Sequence, residues 1–138
     1  MTLSEAETRA ISTLGLAHLG DAVYELLVRA HLCRAGRLTA KGLHQQTVGY
    51  VAATPQAQAV RRLLPHLTEQ ETAVFRRGRN ARVHAIPQQA SIEDYHAATG
   101  LEALFGYLYL RGETARIDAL FALAIAETEV KSEDRHGT

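Results

Sequence analysis

Two acidic residues of this sequence stand alone in apolar surroundings. Asp21 follows Gly20 in "GLAHLGDAVYELLVRAHLCRAG" (15–36), and Glu102 is the only charged residue in the apolar run from Leu101 to Leu110. Burial of an unpaired carboxylate costs several kcal/mol. Glu102 therefore needs a basic partner, a raised pKa or a metal ion.

Each of these carboxylates has a glycine close by, with Gly20 before Asp21 and Gly106 one turn after Glu102. A glycine inside a helix costs about 1 kcal/mol relative to alanine, so both positions favour close approach of another element. Two helices packed at these glycines would bring the acids into one small pocket. Hard oxygen ligands of this kind suit magnesium, which often takes only one or two protein carboxylates.

The residues alone leave other interpretations open. Asp21 could cap the N-terminus of a helix, or it could belong to a solvated stripe with Glu25 and Arg29 at four-residue spacing. Glu102 could instead form a buried pair with Arg29 or Arg111.

A dense basic stretch, "RRGRNAR" at 76–82, indicates a surface for phosphate groups. Guanidinium groups bind phosphate oxygens bidentately, although a solvated loop explains such a run equally well. The candidate phosphate-contacting residues are Arg76, Arg77, Arg79, Asn80 and Arg82. His44 and Gln56 lie in the same basic block and can contact ribose or phosphate, or be ordinary surface residues.

Charge is segregated along the 138 residues although the net charge is zero. Residues 29–84 contain nine arginines and one lysine against two glutamates, a balance of +8, whereas the segments before and after are acidic. A basic middle between acidic ends can place a phosphate-binding face beside a carboxylate site. The single cysteine, Cys33, the acidic N-terminus and the lack of a long apolar run predict a cytoplasmic protein.

Apolar residues recur at helical spacing almost throughout, and no hairpin signal interrupts them, which predicts an all-α domain. Thr54 and Pro55 form an expected N-cap and first helical residue, Thr68 with Glu71 an expected capping box, and Ser91 another N-cap. The expected helices are 16–33, 39 to the residues before Pro55, 55–64, 68–78, 91–98, 100–110 and 113–127, with a loop at 79–90.

Two motifs resemble those of a known family. "LGDAVYEL" (19–26) resembles the signature of the ribonuclease III catalytic domain, and "GLEALFGYLYL" (100–110) resembles its second metal-binding helix. Together with "RRGRNAR" and the short chain, they resemble Mini-ribonuclease III, whose members lack a double-stranded-RNA-binding domain.

The resemblance implies a single ribonuclease III-type domain of about seven helices at 12–128, between an N-terminal segment (1–11) and a flexible tail (129–138). It implies a homodimer that holds magnesium through Asp21 and Glu102, the catalytic pair, and binds duplex RNA through the arginine run, His44 and Gln56. The implied activity is metal-assisted hydrolysis of double-stranded RNA, which matures the ends of the 23S large-subunit ribosomal RNA precursor. A ribosomal protein or a pre-ribosome is a further implied partner.

The acidic set is smaller than in the longer family members, which have four acidic ligands. Ala17 and Thr99 stand where two of those acids would be, and no side chain is an obvious general base. A second interpretation therefore stays open at this point, that of a non-catalytic helical RNA-binding or ribosome-assembly factor.

Overall fold

The computed structural model describes residues 2–36, 39–82 and 91–136, and the side chains of these ranges as far as Ala126. The described residues form seven α-helices, one short 3-10 turn and no strand, which confirms the predicted all-α fold. The helices are α1 (Glu5–Arg9), α2 (Thr13–Ala35), α3 (Ala40–Val51), α4 (Ala53–Leu63), α5 (Glu69–Asn80), α6 (Ile92–Leu110) and α7 (Thr114–His136), and the 3-10 turn is Leu64–His66. None of the helices in these ranges is long and apolar enough to cross a membrane.

Helix α6 forms the centre of the fold, with α2, α5 and α4 packed around it. Its side chains from Leu101 to Leu108 are almost all buried, and Phe105 is fully enclosed. The Phe105 ring meets the ring of Tyr24 on α2 edge to face, with centroids 5.3 Å apart. An α-helix that is apolar nearly all round is stable only in such surroundings, so α6 is a rigid support for the residues it carries.

Three helix starts agree with the sequence analysis. Thr39 accepts a hydrogen bond from the amide of Gly42, and Ser91 accepts one from the amide of Asp94. Thr68 and Glu71 form the predicted reciprocal capping box at the start of α5.

The predicted start of α4 was wrong by two residues. Ala52 is the N-cap residue, with extended backbone, and it makes no side-chain cap. The hydroxyl of Thr54 instead donates to the Asp94 carboxylate on α6 at 2.9 Å. Pro55 sits in the first helical turn, where the amide it lacks has no partner inside the helix.

Several helices also differ in length from their predicted bounds. Residues 92–110 form one continuous helix, so the predicted break before Gly100 was wrong. Gly100 stays helical because it packs directly against Phe75 of α5. Helix α5 continues to Asn80 and α7 to His136, and the short α1 was not predicted. Residues 83–90 of the predicted loop lie outside the described residues.

Candidate metal centre and RNA-binding surface

Helices α2 and α6 touch backbone to backbone at two glycines. A Cβ atom added at Gly20 would lie 1.5 Å from the carbonyl oxygen of Glu102, and one added at Gly106 would lie 2.1 Å from the carbonyl oxygen of Leu16. No other residue fits at either position without moving a helix backbone. The sequence-based expectation that both glycines allow a close approach is confirmed.

This crossing brings the two isolated acids together. Asp21, which follows Gly20, is exposed, and its carboxylate lies within hydrogen-bonding reach of the partly buried Glu102 carboxyl group. Burial, together with the negative charge and hydrogen bond of Asp21, raises the pKa of Glu102 from 4.5 to about 8. Asp21 and Glu102, 81 positions apart in the chain, thus form one acidic site.

Gln56 of α4 is the third side chain at this site. It is only 1% exposed, and its Nε2 atom donates to the carbonyl oxygen of Val51 at 2.8 Å and to Oε2 of Glu102 at 3.4 Å. The hydrogen bond to Glu102 lowers the pKa of that carboxyl group, against the larger effect of burial. Gln56 lies inside the protein, so its position does not fit the predicted contact with RNA, and it faces the carboxylate site instead.

Two of the competing interpretations of the acids do not agree with the structure, whereas the solvated stripe does, since Asp21 is exposed and Glu25 pairs with Arg29. Asp21 lies in the third turn of α2, whose N-cap is Ser12, so Asp21 caps no helix. Glu25 and Arg29 do form the predicted ion pair at 2.9 Å. That pair occupies Arg29, and Arg111 lies 3.5 Å from Glu5, so neither arginine is the partner of Glu102.

The oxygen ligands at this site are of the kind that a hard divalent cation prefers. Two carboxylates share the site, and no basic side chain is among the groups that set the pKa of Glu102. The buried Oε1 atom of Gln56 has no hydrogen-bond partner. No three or more His, Cys, Asp or Glu side chains within the described ranges are arranged so that they could hold a metal ion together, so the two acids would supply few ligands and leave the rest to water.

Ala17 and Thr99 occupy the two positions where the resemblance to longer ribonuclease III enzymes would place acidic ligands. Ala17 is buried against the core, and the buried Thr99 donates its hydroxyl to the carbonyl oxygen of Tyr95 at 2.9 Å. Neither residue supplies a charged oxygen to the site.

The arginine run lies at the C-terminal end of α5, where this helix crosses α6. A Cβ added at Gly78 would lie 2.8 Å from both Ala103 and Gly100, the residues that flank Glu102 along α6. The buried residues of α5 face α6, which leaves the other side of the helix end exposed. The exposed side chains there are Arg76, Arg77, Arg79, Asn80 and Arg82.

Two contacts hold the guanidinium group of Arg79. Its Nε atom donates to Oδ1 of Asn80 at 3.3 Å, and its guanidinium lies 5.7 Å from the centre of the Phe75 ring. Such contacts hold a guanidinium plane in place without neutralising its charge.

His44 is exposed on α3, in a different part of the surface. Together with Arg29, Cys33 and Thr47 it lines a groove of about 270 Å³ between α2 and α3. Arg29 lies eight residues after Asp21 on α2, a rotation of about 80° around the helix axis.

Comparison with known proteins gives the family. The family model described as "Ribonuclease III domain" matches residues 14–113. The chain belongs to the ribonuclease III family. Curated relatives named "Mini-ribonuclease 3" include one from Symbiobacterium thermophilum, 45% identical over 86% of this chain and 92% of its own length, and one from Brevibacillus brevis, 44% identical over 86% and 89%.

A solved structure supports the same assignment. The crystal structure of a protein from Fusobacterium nucleatum is similar with a TM-score of 0.80 at 28% identity, and the match covers 87% of this chain and 96% of that one. The chain is therefore an endoribonuclease of the ribonuclease III type, in the Mini-ribonuclease 3 group. The alternative of a non-catalytic assembly factor does not agree with this membership. The family is generally dependent on divalent metals, acts on double-stranded RNA and is typically dimeric.

Sequence reasoning missed the position of Gln56, although a signal was present. Gln56, Ala59, Val60 and Leu63 follow helical spacing, and the last three are buried apolar residues. A glutamine on the buried stripe of an amphipathic helix needs a polar partner inside the protein. Its partners here are the Val51 carbonyl and Glu102.

Proposed function

We propose that this protein is a magnesium-dependent endoribonuclease that cleaves double-stranded RNA and matures the ends of the 23S ribosomal RNA precursor. The observation that carries the proposal is the meeting of Asp21 and Glu102 across the Gly20–Gly106 crossing. A ribosomal RNA precursor is made in the cytoplasm of a bacterium, where we expect the enzyme to act.

Asp21 and Glu102 are the proposed metal ligands and catalytic residues. Magnesium bound by them would activate a water for attack on the phosphodiester and stabilise negative charge on the phosphate oxygens. Glu102 must lose its proton to act as a ligand, since a carboxylate binds a metal in its ionised form. The backbone of Glu102 is in contact with Gly20, and this contact fixes the position of the Glu102 Cα atom, from which the side chain extends.

The arginine run of α5 supplies the proposed contact with RNA. Four guanidiniums on one exposed helix end neutralise phosphates without reading base sequence, which suits an enzyme for duplex RNA. Helix α5 crosses α6 at Gly100 and Ala103, close to Glu102 in the sequence of α6. We therefore expect the arginine surface to lie near the acidic site. His44, exposed on α3, is a further proposed contact.

A homodimer is the proposed assembly, because a duplex has two strands to cut. Helix α2 has two exposed leucines, Leu14 at 42% and Leu26 at 64%. Large exposed apolar side chains on one helix favour a protein partner. A second copy of this chain would cover them and bring a second acidic site to the RNA. A ribosomal protein or a pre-ribosome remains a proposed further partner.

The function is tested by cleavage of a labelled RNA duplex in magnesium. We expect the wild type to cut the duplex and to leave the single strand intact. Asp21→Asn and Glu102→Gln should each reduce cutting by at least about 100-fold, whereas Asp118→Asn, a change at an exposed acid of α7, should not. A second assay tests the proposed substrate. It compares the rate of cleavage of a transcript that contains the paired ends of the 23S precursor with that of a duplex of random sequence. Equal cutting by all variants would contradict the assignment of the catalytic pair.

A further inference from the structure

Local structure explains only part of the buried position of Gln56, because the bond to the Val51 carbonyl uses one hydrogen of its amide group. Gln56 lies in α4, where leucine or methionine would fill the same volume without a polar group, yet it is 1% exposed. A buried amide without full hydrogen bonding costs about 1–3 kcal/mol. Its presence at this cost indicates a role at the neighbouring site.

The orientation of the Gln56 amide is determined by its neighbours. The Nε2 atom lies 2.8 Å from the carbonyl oxygen of Val51, which can only accept a hydrogen bond. Nε2 must therefore be the atom on that side, and the second hydrogen of the same NH₂ group is directed to Oε2 of Glu102 at 3.4 Å. The amide thus links the end of α3 to one particular oxygen of Glu102.

The oxygen end of the same amide is also buried. None of the residues that the structure describes donates a hydrogen bond to Oε1 of Gln56. A buried acceptor of this kind normally has a protein or water donor. A water molecule is therefore the expected donor to Oε1.

We propose that Gln56 is a positioning residue of the metal centre: its NH₂ group, held by the end of α3, orients the Glu102 carboxyl group so that Glu102 can bind a divalent cation together with Asp21. The proposal rests on the metal site proposed above. Mutation of a residue that hydrogen-bonds to a metal ligand commonly lowers the metal affinity by about 10- to 100-fold.

The first test measures binding of Mn²⁺ to the metal-free protein by titration calorimetry, without RNA. Gln56→Met keeps the side-chain volume but removes both hydrogen-bonding ends. We expect it to weaken Mn²⁺ binding about tenfold or more and to leave duplex binding in EDTA unchanged. The matched control is Thr8→Val, which removes another buried side-chain hydrogen bond, from the Thr8 hydroxyl to the Ser4 carbonyl at the start of α1.

The outcomes separate this proposal from the proposed function. Wild-type protein that binds no Mn²⁺ would overturn the metal site itself. Wild-type affinity in Gln56→Met, together with lost affinity in Glu102→Gln, would overturn only the role of Gln56. Weaker duplex binding in EDTA by Gln56→Met would also overturn it, because it would indicate a direct contact with RNA.

A second measurement needs no variant. In a magnesium titration of the ¹⁵N-labelled wild type followed by NMR, the side-chain NH₂ signals of Gln56 should shift with the same midpoint as the backbone amide of Glu102. Those of Gln45, exposed on α3, should stay in place. Unmoved Gln56 signals at saturating magnesium would overturn the proposal.

Discussion

Gly20 of α2 lies directly against the carbonyl oxygen of Glu102 on α6, so closely that a methyl group at Gly20 would overlap it. This contact determines how far the carboxylate of the next residue, Asp21, lies from that of Glu102. The geometry of the acidic site therefore depends directly on the packing of the two central helices.

The Gly20 contact predicts a severe effect of Gly20→Ala. The added methyl group meets backbone, which cannot rotate away, so we expect a loss of at least about 3 kcal/mol in the free energy of unfolding, or no folding. Chemical denaturation followed by circular dichroism measures it. Gly49→Ala is the matched control, because nothing lies within 4 Å of that added methyl group, and the change should stabilise α3 by up to about 1 kcal/mol. Equal stability of the two variants would contradict the described crossing.

Glu102→Gln should stabilise the metal-free protein while it removes activity. In the folded protein the pKa of Glu102 is about 8, against 4.5 for the ordinary group. The folded state therefore keeps a proton that the unfolded chain releases, and the contribution of Glu102 to stability is lost as the pH rises from 4.5 through 8. We expect the Tm of Glu102→Gln in EDTA at pH 9 to exceed that of the wild type by a few degrees.

The same Glu102→Gln comparison has an internal control. At pH 4, Glu102 is neutral in both the folded and the unfolded wild type, so the two Tm values should approach each other. A difference in Tm that does not change between pH 4 and pH 9 would show that packing, rather than charge, is responsible.

Removal of arginines from the end of α5 should weaken RNA binding through charge. Arg77→Ala and Arg79→Ala should each weaken binding of any duplex, regardless of sequence, and lower the slope of log K against log salt by roughly one. Fluorescence anisotropy in EDTA measures this. Arg9→Ala is the control, since Arg9 pairs with Glu5 at the opposite end of α6. An equal loss in Arg9→Ala would indicate general charge attraction rather than a defined surface.

Leu26→Glu should convert a dimer into monomers. The side chain of Leu26 is 64% exposed on α2, so the change leaves the core of the monomer intact. Light scattering after gel filtration should give half the mass of the wild type, with unchanged helix content. Leu64→Glu, at an exposed leucine outside α2, is the comparison and should leave the mass unchanged. A dimer that persists in Leu26→Glu would place the interface elsewhere.

Much of the fold follows from local signals in the sequence. Ser, Thr and Glu at helix starts predict α3, α5 and α6, because capping depends on residues only three positions apart. Gly20 and Gly106 likewise predict a close approach, since a helical glycine beside apolar residues costs stability unless something packs there. The flexible tail and the domain limits at 12–128 stay predictions.

What could not be predicted depends on contacts between distant segments. The start of α4 was misplaced because the Thr54 hydroxyl binds Asp94, 40 positions away, instead of capping its own helix. The break expected before Gly100 is absent because Phe75 of another helix packs there. Gln56 belongs to the carboxylate site only through tertiary packing of α4 on α6, and no local pattern specifies Glu102 as its partner.

The most direct test of the shared acidic site is the position of a metal in a crystal. Crystals of the metal-free protein soaked in Mn²⁺ and measured near the manganese absorption edge should show an anomalous peak with carboxylate oxygens of both Asp21 and Glu102 within about 2.4 Å. The peak should be lost in Glu102→Gln. Mn²⁺ bound to only one of these two carboxylates, or found only elsewhere in the protein, would contradict the account.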